Sequence, residues 1–310
     1  MRLLFLGAGG TGGYFGGRAA IAGANVTFLV REARARRLCA DGLRIESPRG
    51  DAVVAPQVVV AQELEATYDV VVVSCKAYDL PSAIEAIRPA IGPHTAVLPI
   101  MNGVLQYDVL DAAFGPDRVL GGLCQINATI GSEGQIKHLG QHAVFVFGER
   151  SGEPRSERCI ALETILAQAA FTSRLSTDIQ QDIWEKYVFL TTMASATCLM
   201  RGSVGQIMAT DAGESIILSL LAECQQVAAA SGYTVRAAAN EAAVKALTDR
   251  QSSMTASMFR DLSLNAPVEA DHIVGDMVRR AAMLAIDVPY LHAAYSHLQV
   301  YQAQRAAAIS

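Results

Sequence analysis

Gly7-Ala8-Gly9-Gly10-Thr11-Gly12 and, much further along the chain, Lys186 and Glu269 are residues whose types and spacing could do chemistry. The glycine run has GxGxxG spacing, follows an apolar stretch and opens a helical pattern. In that setting the first glycine permits a tight turn, the second lets a pyrophosphate approach the backbone, and the third lets helix meet strand. Gly7, Gly9, Gly10, Thr11 and Gly12 are therefore candidate dinucleotide-binding residues, the phosphates resting on unpaired N–H groups at the helix start. A flexible glycine loop is the plainer alternative.

The end of the second strand reads the cofactor. An NAD site usually places Asp or Glu there for the ribose hydroxyl, and an NADP site an Arg for the 2′-phosphate. Arg31 stands at that point, followed by Glu32 and by Arg34, Arg36 and Arg37. This favours NADP; an ordinary solvated helix face, with Glu32 serving the hydroxyl, is the alternative. Carbonyl reduction by such a cofactor also needs a proton donor. Lys186 is followed by fourteen uncharged residues, so it is expected at the edge of a deeply buried helix that begins near Trp184. Partial desolvation there would lower its pKa, while a snorkelling helix-start lysine fits the spacing equally well.

Three further groups follow strands, where ligands of open α/β sheets bind: Lys76, Asn102 and Gly103. A lysine after a strand is also what plain surface charge looks like. Glu269 follows Pro267 by two residues and is expected early in the final long helix, where an acid suits the helix dipole without any functional role. Ser257 and Asp261 are one turn apart on the preceding helix and can be read as a polar face.

The elements that must position these groups fall into two halves. In the first, short β-branched runs alternate with helical patterns, as in a parallel α/β sheet. The pattern predicts strands over 3–6, 26–30, 69–74 and 95–99, and helices over 10–22, 34–40 and 81–91, with another starting near Gly103. A hairpin insertion is expected over 43–46 and 52–55. Residues 119–148 read as antiparallel strands added to the same sheet, 153–169 as a helix and 172–175 as a last strand. Beyond residue 177 only helices are expected. The fold class is thus α/β, an N-terminal Rossmann-type doubly wound sheet (1–176) followed by an all-α C-terminal domain (177–310).

A chain of 310 residues suits two domains, and with 51% hydrophobic residues it can bury two cores. A net charge of −5 argues against nucleic acid or an anionic membrane surface as a partner. The mean hydropathy of +0.27 prompts a search for membrane spans, yet the longest apolar stretches are shorter than the roughly 20 residues a span needs. The N-terminal apolar run is too short for a signal peptide. The six cysteines are scattered without CxxC spacing, and no His/carboxylate cluster suggests a metal. They read as reduced thiols of a cytoplasmic protein. The apolar last helices suit a homodimer or intramolecular burial alike.

Taken in order, Gly7-x-Gly9-x-x-Gly12, Ser74-Cys75-Lys76-Ala77, Asn102-Gly103-Val104, Trp184-Glu185-Lys186, Ser257-Met258-x-x-Asp261 and Glu269-x-Asp271-x-x-x-Gly275 resemble the ketopantoate reductase (2-dehydropantoate 2-reductase) family over nearly the whole chain. Each piece is short; their joint order and spacing are specific. The resemblance implies NADPH-dependent reduction of 2-dehydropantoate to (R)-pantoate, in pantothenate biosynthesis. It also implies Lys186 as the general acid, Glu269 on the substrate hydroxyl and Ser257 on its carboxylate end. Asn102 and Lys76 would serve the substrate and nicotinamide side, and Arg31 the 2′-phosphate.

In one respect the chain departs from that pattern. Well-studied members carry asparagines four and eight residues after the catalytic lysine, and here those positions are Leu190 and Ala194. Losing two hydrogen-bonding groups would leave polar groups of a dihydroxylated acid unpaired. Thr191, Thr192 and Ser195 point to other faces of the helix. A more apolar 2-oxo acid is therefore an alternative substrate. A β-hydroxyacid dehydrogenase-like enzyme is disfavoured by the Ser257, Asp261, Glu269 spacing, and a non-catalytic NADP-binding sensor by the presence of both Lys186 and Glu269.

Overall fold

A computed structural model describes residues 1–65 and 68–308. The chain divides into two compact units, Met1–Met101 with Gln106–Ile179, and Asn102–Leu105 with Gln180–Ser310. The first unit opens with β1 (Arg2–Leu6), α1 (Gly10–Ile21), β2 (Asn25–Leu29) and α2 (Glu32–Asp41). A hairpin of β3 (Leu43–Glu46) and β4 (Ala52–Val54) precedes β5 (Gln57–Val59), β6 (Val70–Val73), α3 (Leu80–Ile87) and β7 (Ala96–Pro99). Then come α4 (Leu105–Phe114), β8 (Gly121–Ile130), β9 (Ile136–Gly148), α5 (Glu157–Leu166) and β10 (Thr172–Leu175).

One sheet runs β5-β2-β1-β6-β7, with every neighbouring pair parallel. The four valines of β6 are buried throughout, as expected of a central parallel strand covered on both faces. β5 escaped the sequence pattern because it is three residues long and follows Pro56; it adds to the free edge of β2, pairing Gln57 with Thr27. The expected helix over 81–91 stops as α3 at Ile87. A single 3₁₀ turn over Arg88–Ala90 follows, where Pro89 has no N–H to continue the ladder.

The antiparallel strands do not extend this sheet as the sequence pattern suggests. They form a second one of order β10-β9-β3-β4, with β8 on β9. The reason is the length of β9: its thirteen residues pair antiparallel with β8, parallel with β10 at Val144–Phe147, and parallel with β3 at Ile136 and Lys137. A strand satisfied along both sides has no ladder left for β7, whose own Val97 meets an isolated bridge at Val119. The core joins the two sheets across α1: Phe15 packs edge-on against Phe145 and Phe171, at 5.2 and 4.9 Å between ring centres.

In the second unit, α6 (Ile179–Met200) leads to α7 (Val204–Met208), α8 (Gly213–Ala230), α9 (Ala237–Leu247), α10 (Ser257–Ser263), α11 (Ala270–Met283) and α12 (Pro289–Ala307). Two expectations are corrected here. The helix bearing Lys186 starts at Ile179 rather than near Trp184, so the lysine lies two turns inside it. Glu269 is not early in the last helix: it is the residue just before α11, and α12 follows. Among the described residues no strand follows Leu175, no helix is long and apolar enough to cross a membrane, and no group of three or more His, Cys, Asp or Glu is arranged to hold a metal.

The tightest point of the first unit is the third glycine of the turn. A Cβ on Gly12 would collide with Ser74 Oγ and lie 2.8 Å from the Gly7 carbonyl oxygen, while Ser74 Oγ donates to the Leu6 carbonyl at 2.8 Å. Gly12→Ala should therefore lower the melting temperature by the equivalent of about 1–3 kcal/mol, the usual cost of overpacking. Adding Ser74→Ala should recover only part of that loss, because the Gly7 carbonyl stays in place. Thermal melts of the three variants check this; an unchanged Gly12→Ala protein would contradict the close approach.

Candidate functional site

The parallel register fixes where the first unit's candidates stand. Leu6 pairs with Leu29 and with Val73, so the carboxyl ends of β1, β2 and β6 are level. Gly7 follows β1 directly, Arg31 comes two residues after β2, and Lys76 three after β6. α1 starts at Gly10 with Gly9 as its N-cap, and no side chain caps it. A Cβ on Gly9 would meet nothing within 4 Å. An uncapped helix start beside open space is what a pyrophosphate requires, so Gly7, Gly9, Gly10, Thr11 and Gly12 fit a dinucleotide.

The arginines behind this turn divide their tasks. Arg31 is the N-cap residue of α2, with a side chain 85% exposed and one exposed ion pair, 3.4 Å to Asp79 Oδ1. Such pairs are weak, so the guanidinium can be drawn to a stronger anion. Arg34 is engaged instead with backbone: Nη2 donates to the Ala8 carbonyl at 3.0 Å and Nη1 to the Gly134 carbonyl at 2.9 Å. Burial, aided by Arg37, lowers its pKa. It ties the glycine turn to the β8–β9 connection, a role its spacing did not reveal. Arg36 pairs with Glu32 one turn away on the solvent face. Lys76 is half-buried before a 3₁₀ turn over Ala77–Asp79.

In the second unit, Lys186 Nζ donates to Asn102 Oδ1 at 3.0 Å. Asn102 is followed by Gly103 at φ +90°, a left-handed conformation that glycine adopts without strain. The imidazole of His272 lies 3.1 Å from the position a Cβ would take there. His272 is one turn beyond Glu269, both are buried, and its ring bonds to the Asn102 backbone. Burial lowers the His272 pKa, against the opposing pull of Glu269, Asp276 and the Asn102 bond. Sequence reading passed over this histidine; its spacing from Glu269 on a helix is the signal that would have found it.

The residues flanking Lys186 anchor its helix to the α8–α9 connection and to α11. Trp184 stacks on Tyr233, 5.1 Å between centres and 14° from parallel, with the Arg280 guanidinium over the Trp184 ring at 5.6 Å. Glu185 accepts from Arg236 Nε and Nη2, each at 2.7 Å, and from the Arg236 backbone N–H at 3.0 Å. Tyr187 Oη is 2.8 Å from the Ile273 carbonyl and 3.1 Å from Asp276 Oδ2. Burial beside Asp276 pushes that phenol well above its usual pKa, so it stays a protonated anchor.

Ser257 opens α10, half-buried, and its hydroxyl has no hydrogen-bond partner among the described residues; no bond joins it to Lys186, Asn102 or Glu269. Leu190 and Ala194, one and two turns beyond Lys186 on the same face, are 8% and 0% exposed. Thr192 is committed to its own helix through the Val188 carbonyl. Thr191 and Ser195 have buried hydroxyls without partners, but they continue the face of Tyr187 rather than that of Lys186. None of the six cysteines is in a disulfide; burial pushes the Cys198 and Cys224 thiols up to about 12, which keeps them protonated at neutral pH.

Comparison with known proteins matches both units. The model of the family described as Ketopantoate reductase PanE/ApbA matches residues 3–152, and that of Ketopantoate reductase PanE/ApbA C terminal matches residues 178–302. An uncharacterized oxidoreductase, YkpB, of Bacillus subtilis is 37% identical, covering 98% of this chain and 100% of its own. A 2-dehydropantoate 2-reductase of Mesorhizobium japonicum is 27% identical over 88% of this chain and 89% of its own. The crystal structure of a PanE/ApbA family ketopantoate reductase from Ralstonia eutropha superposes with a TM-score of 0.88 at 24% identity, covering 98% of this chain and 99% of that one. A D-mandelate dehydrogenase solved with NADH and anilino(oxo)acetate shares the fold at 19% identity, with a TM-score of 0.87 over 98% and 99% of the two chains.

The clamp on α6 carries a pH signature. Burial alone would raise the Glu185 pKa, but the bonds from Arg236 and Gln181 outweigh it and hold the carboxyl below its ordinary value. A carboxylate depressed in the folded state contributes stability that is present above its unfolded pKa of about 4.3 and lost as pH falls through the folded value. Glu185→Gln should therefore melt below wild type at pH 7, with the gap closing as the pH drops below about 4. Melting curves across that range test it; a gap that persists at pH 3 would mean the clamp does not depend on charge.

Proposed function

The chain belongs to the ketopantoate reductase family of oxidoreductases, and from that premise we propose that it reduces 2-dehydropantoate to (R)-pantoate with NADPH, on the route to pantothenate. The observation that carries this reading is the 3.0 Å bond from Lys186 Nζ to Asn102 Oδ1 beside buried Glu269 and His272. When bound, the reduced nicotinamide supplies the hydride to the carbonyl carbon. Lys186 supplies the proton. As an ammonium it has three N–H donors: one is spent on Asn102, which aims the others, and one of these meets the carbonyl oxygen. As the carbonyl π pair moves onto oxygen, that N–H proton transfers and the lysine is left neutral.

Around this step, Glu269 accepts from the substrate hydroxyl and the uncommitted Ser257 hydroxyl donates to the carboxylate. Asn102 and Lys76 serve the substrate and nicotinamide side. Gly7, Gly9, Gly10, Thr11 and Gly12 hold the pyrophosphate on the start of α1, and Arg31 takes the 2′-phosphate in place of its weak contact with Asp79.

A second reading rests on Leu190 and Ala194, which present buried carbon along the face of α6 that carries Lys186. There a 2-oxo acid with an apolar side chain leaves fewer polar groups unpaired than a dihydroxylated one.

NADPH oxidation against a panel of 2-oxo acids, ketopantoate included, decides between the two. The preferred substrate by kcat/KM identifies the reading, and inactivity on all of them removes both. Lys186→Ala should lose about 10²–10⁴ in kcat while retaining NADPH affinity; a fully active variant would sink the proton-donor role. In binding titrations, Arg31→Ala should weaken NADPH far more than NADH. An equal effect on the two cofactors would reject the 2′-phosphate assignment.

A further inference from the structure

The proton-handling pair is held by a group that the reduction itself does not use. Lys186 has a defined direction only if Asn102 has a defined position, and Asn102 sits at the start of a short excursion, Asn102–Leu105, that packs with the helical unit. His272 meets this excursion twice. Its ring lies against Gly103, with Cδ2 and Nε2 3.1 and 3.4 Å from where a Cβ would stand, and a ring nitrogen bonds to the Asn102 backbone. That bond favours the protonated ring, as donation to a carbonyl does. The histidine itself is buried. It is 8% exposed on α11, one turn beyond Glu269 and one turn before Asp276, which is tied to Tyr187 and Arg280.

We propose that His272 is a positioning residue for the reaction: its imidazole N–H holds the Asn102 carbonyl, so that the Asn102 carboxamide meets Lys186 Nζ and sets the direction of proton delivery. The inference rests on the reading of Lys186 as proton donor. The neutral imidazole suffices, since one N–H is all the role requires. Burial favours that form; Glu269 and Asp276 oppose it, and Arg279 adds to it. Because Glu269 is the N-cap residue of α11 and His272 lies in its first turn, the start of one helix sets the substrate-facing acid and the aim of the lysine together. Gly103 belongs to the same device: its φ of +90° favours glycine, and a Cβ there would stand only 3.1 Å from the imidazole.

The test compares His272→Phe, which keeps a ring but cannot donate, with His272→Gln, which keeps an N–H, and reads two quantities. The first needs no substrate: the rate of Lys186 acetylation by acetic anhydride, followed by peptide mass spectrometry with Lys137 and Lys245 as internal references. In the Phe variant it should rise several-fold, and in the Gln variant stay near wild type. The second is steady-state reduction of the panel's preferred 2-oxo acid. There His272→Phe should lose about tenfold in kcat with the KM for NADPH unchanged, and His272→Gln should recover most of it.

Unchanged Lys186 labelling in the Phe variant, or equal damage in both variants, would overturn the proposal. Should His272→Phe not fold, ¹⁵N NMR of wild type replaces it, the resonance being assigned with His272→Gln. A ring N–H protected from exchange supports the role, and a rapidly exchanging one overturns it. If wild type reduces no 2-oxo acid, the proposed reaction fails, while the labelling comparison still judges the positioning of Lys186.

Discussion

An ammonium group carried on a helix with a buried second half has to be aimed by its surroundings, and the contact between Lys186 Nζ and Asn102 Oδ1 is the interaction that fixes it in the helical unit. From Thr191 to Cys198 every residue of α6 is buried, so the second half of the helix is packed on all sides. Its orientation is set by neighbours of the lysine. Trp184 stacks on Tyr233, Glu185 is gripped by Arg236, and Tyr187 reaches the backbone of α11. The residues beside Lys186 are thus anchors: Trp184 and Glu185 reach Tyr233 and Arg236 in the connection between α8 and α9, and Tyr187 reaches α11.

The same division runs through the acidic motif on the later helix. At about 100° per residue, His272 and Asp276 share one face of α11, with Glu269 just before the helix, while Asp271 and Gly275 lie on the other face. The second pair serves packing: Asp271 accepts from Tyr295 at 2.6 Å and from Gln302 at 3.0 Å, and a Cβ on Gly275 would press into the Tyr295 ring. One short stretch of sequence therefore presents polar groups toward Asn102 and Tyr187 on one side and fastens α12 on the other.

In the sheet unit the governing constraint is steric. Gly12 lies so close to Ser74 and to the Gly7 carbonyl that α1 is pressed onto the ends of β1 and β6, which leaves its uncapped start beside open space. Arg34 closes the arrangement from behind by bonding two carbonyls, one of them in the turn itself. This separates two kinds of cation that look alike in a run of arginines: one spent on the backbone, and Arg31, which is exposed and held only by a weak ion pair.

Much of this was legible in the residues alone. The glycine spacing, the four valines of β6, the alternation of strand and helix, and the change to helices after Leu175 are local signals, set by side-chain periodicity and turn stereochemistry within a few residues. They were enough to read a Rossmann-type unit followed by a helical one, while Lys186, Asn102 and Glu269 drew their expected roles from the family resemblance. What periodicity does not carry is which distant segments share a ladder or a face. The second sheet arises because β9 is long enough to be satisfied on both sides, and β5 is a strand only because β2 offers it a free edge. The contact between Lys186 and Asn102 spans 84 positions, and the histidine that braces it was an unremarked residue inside a motif. Sequence determined the kinds of groups available; tertiary packing decided which of them meet, because hydrogen bonds over 3 Å depend on where whole helices lie.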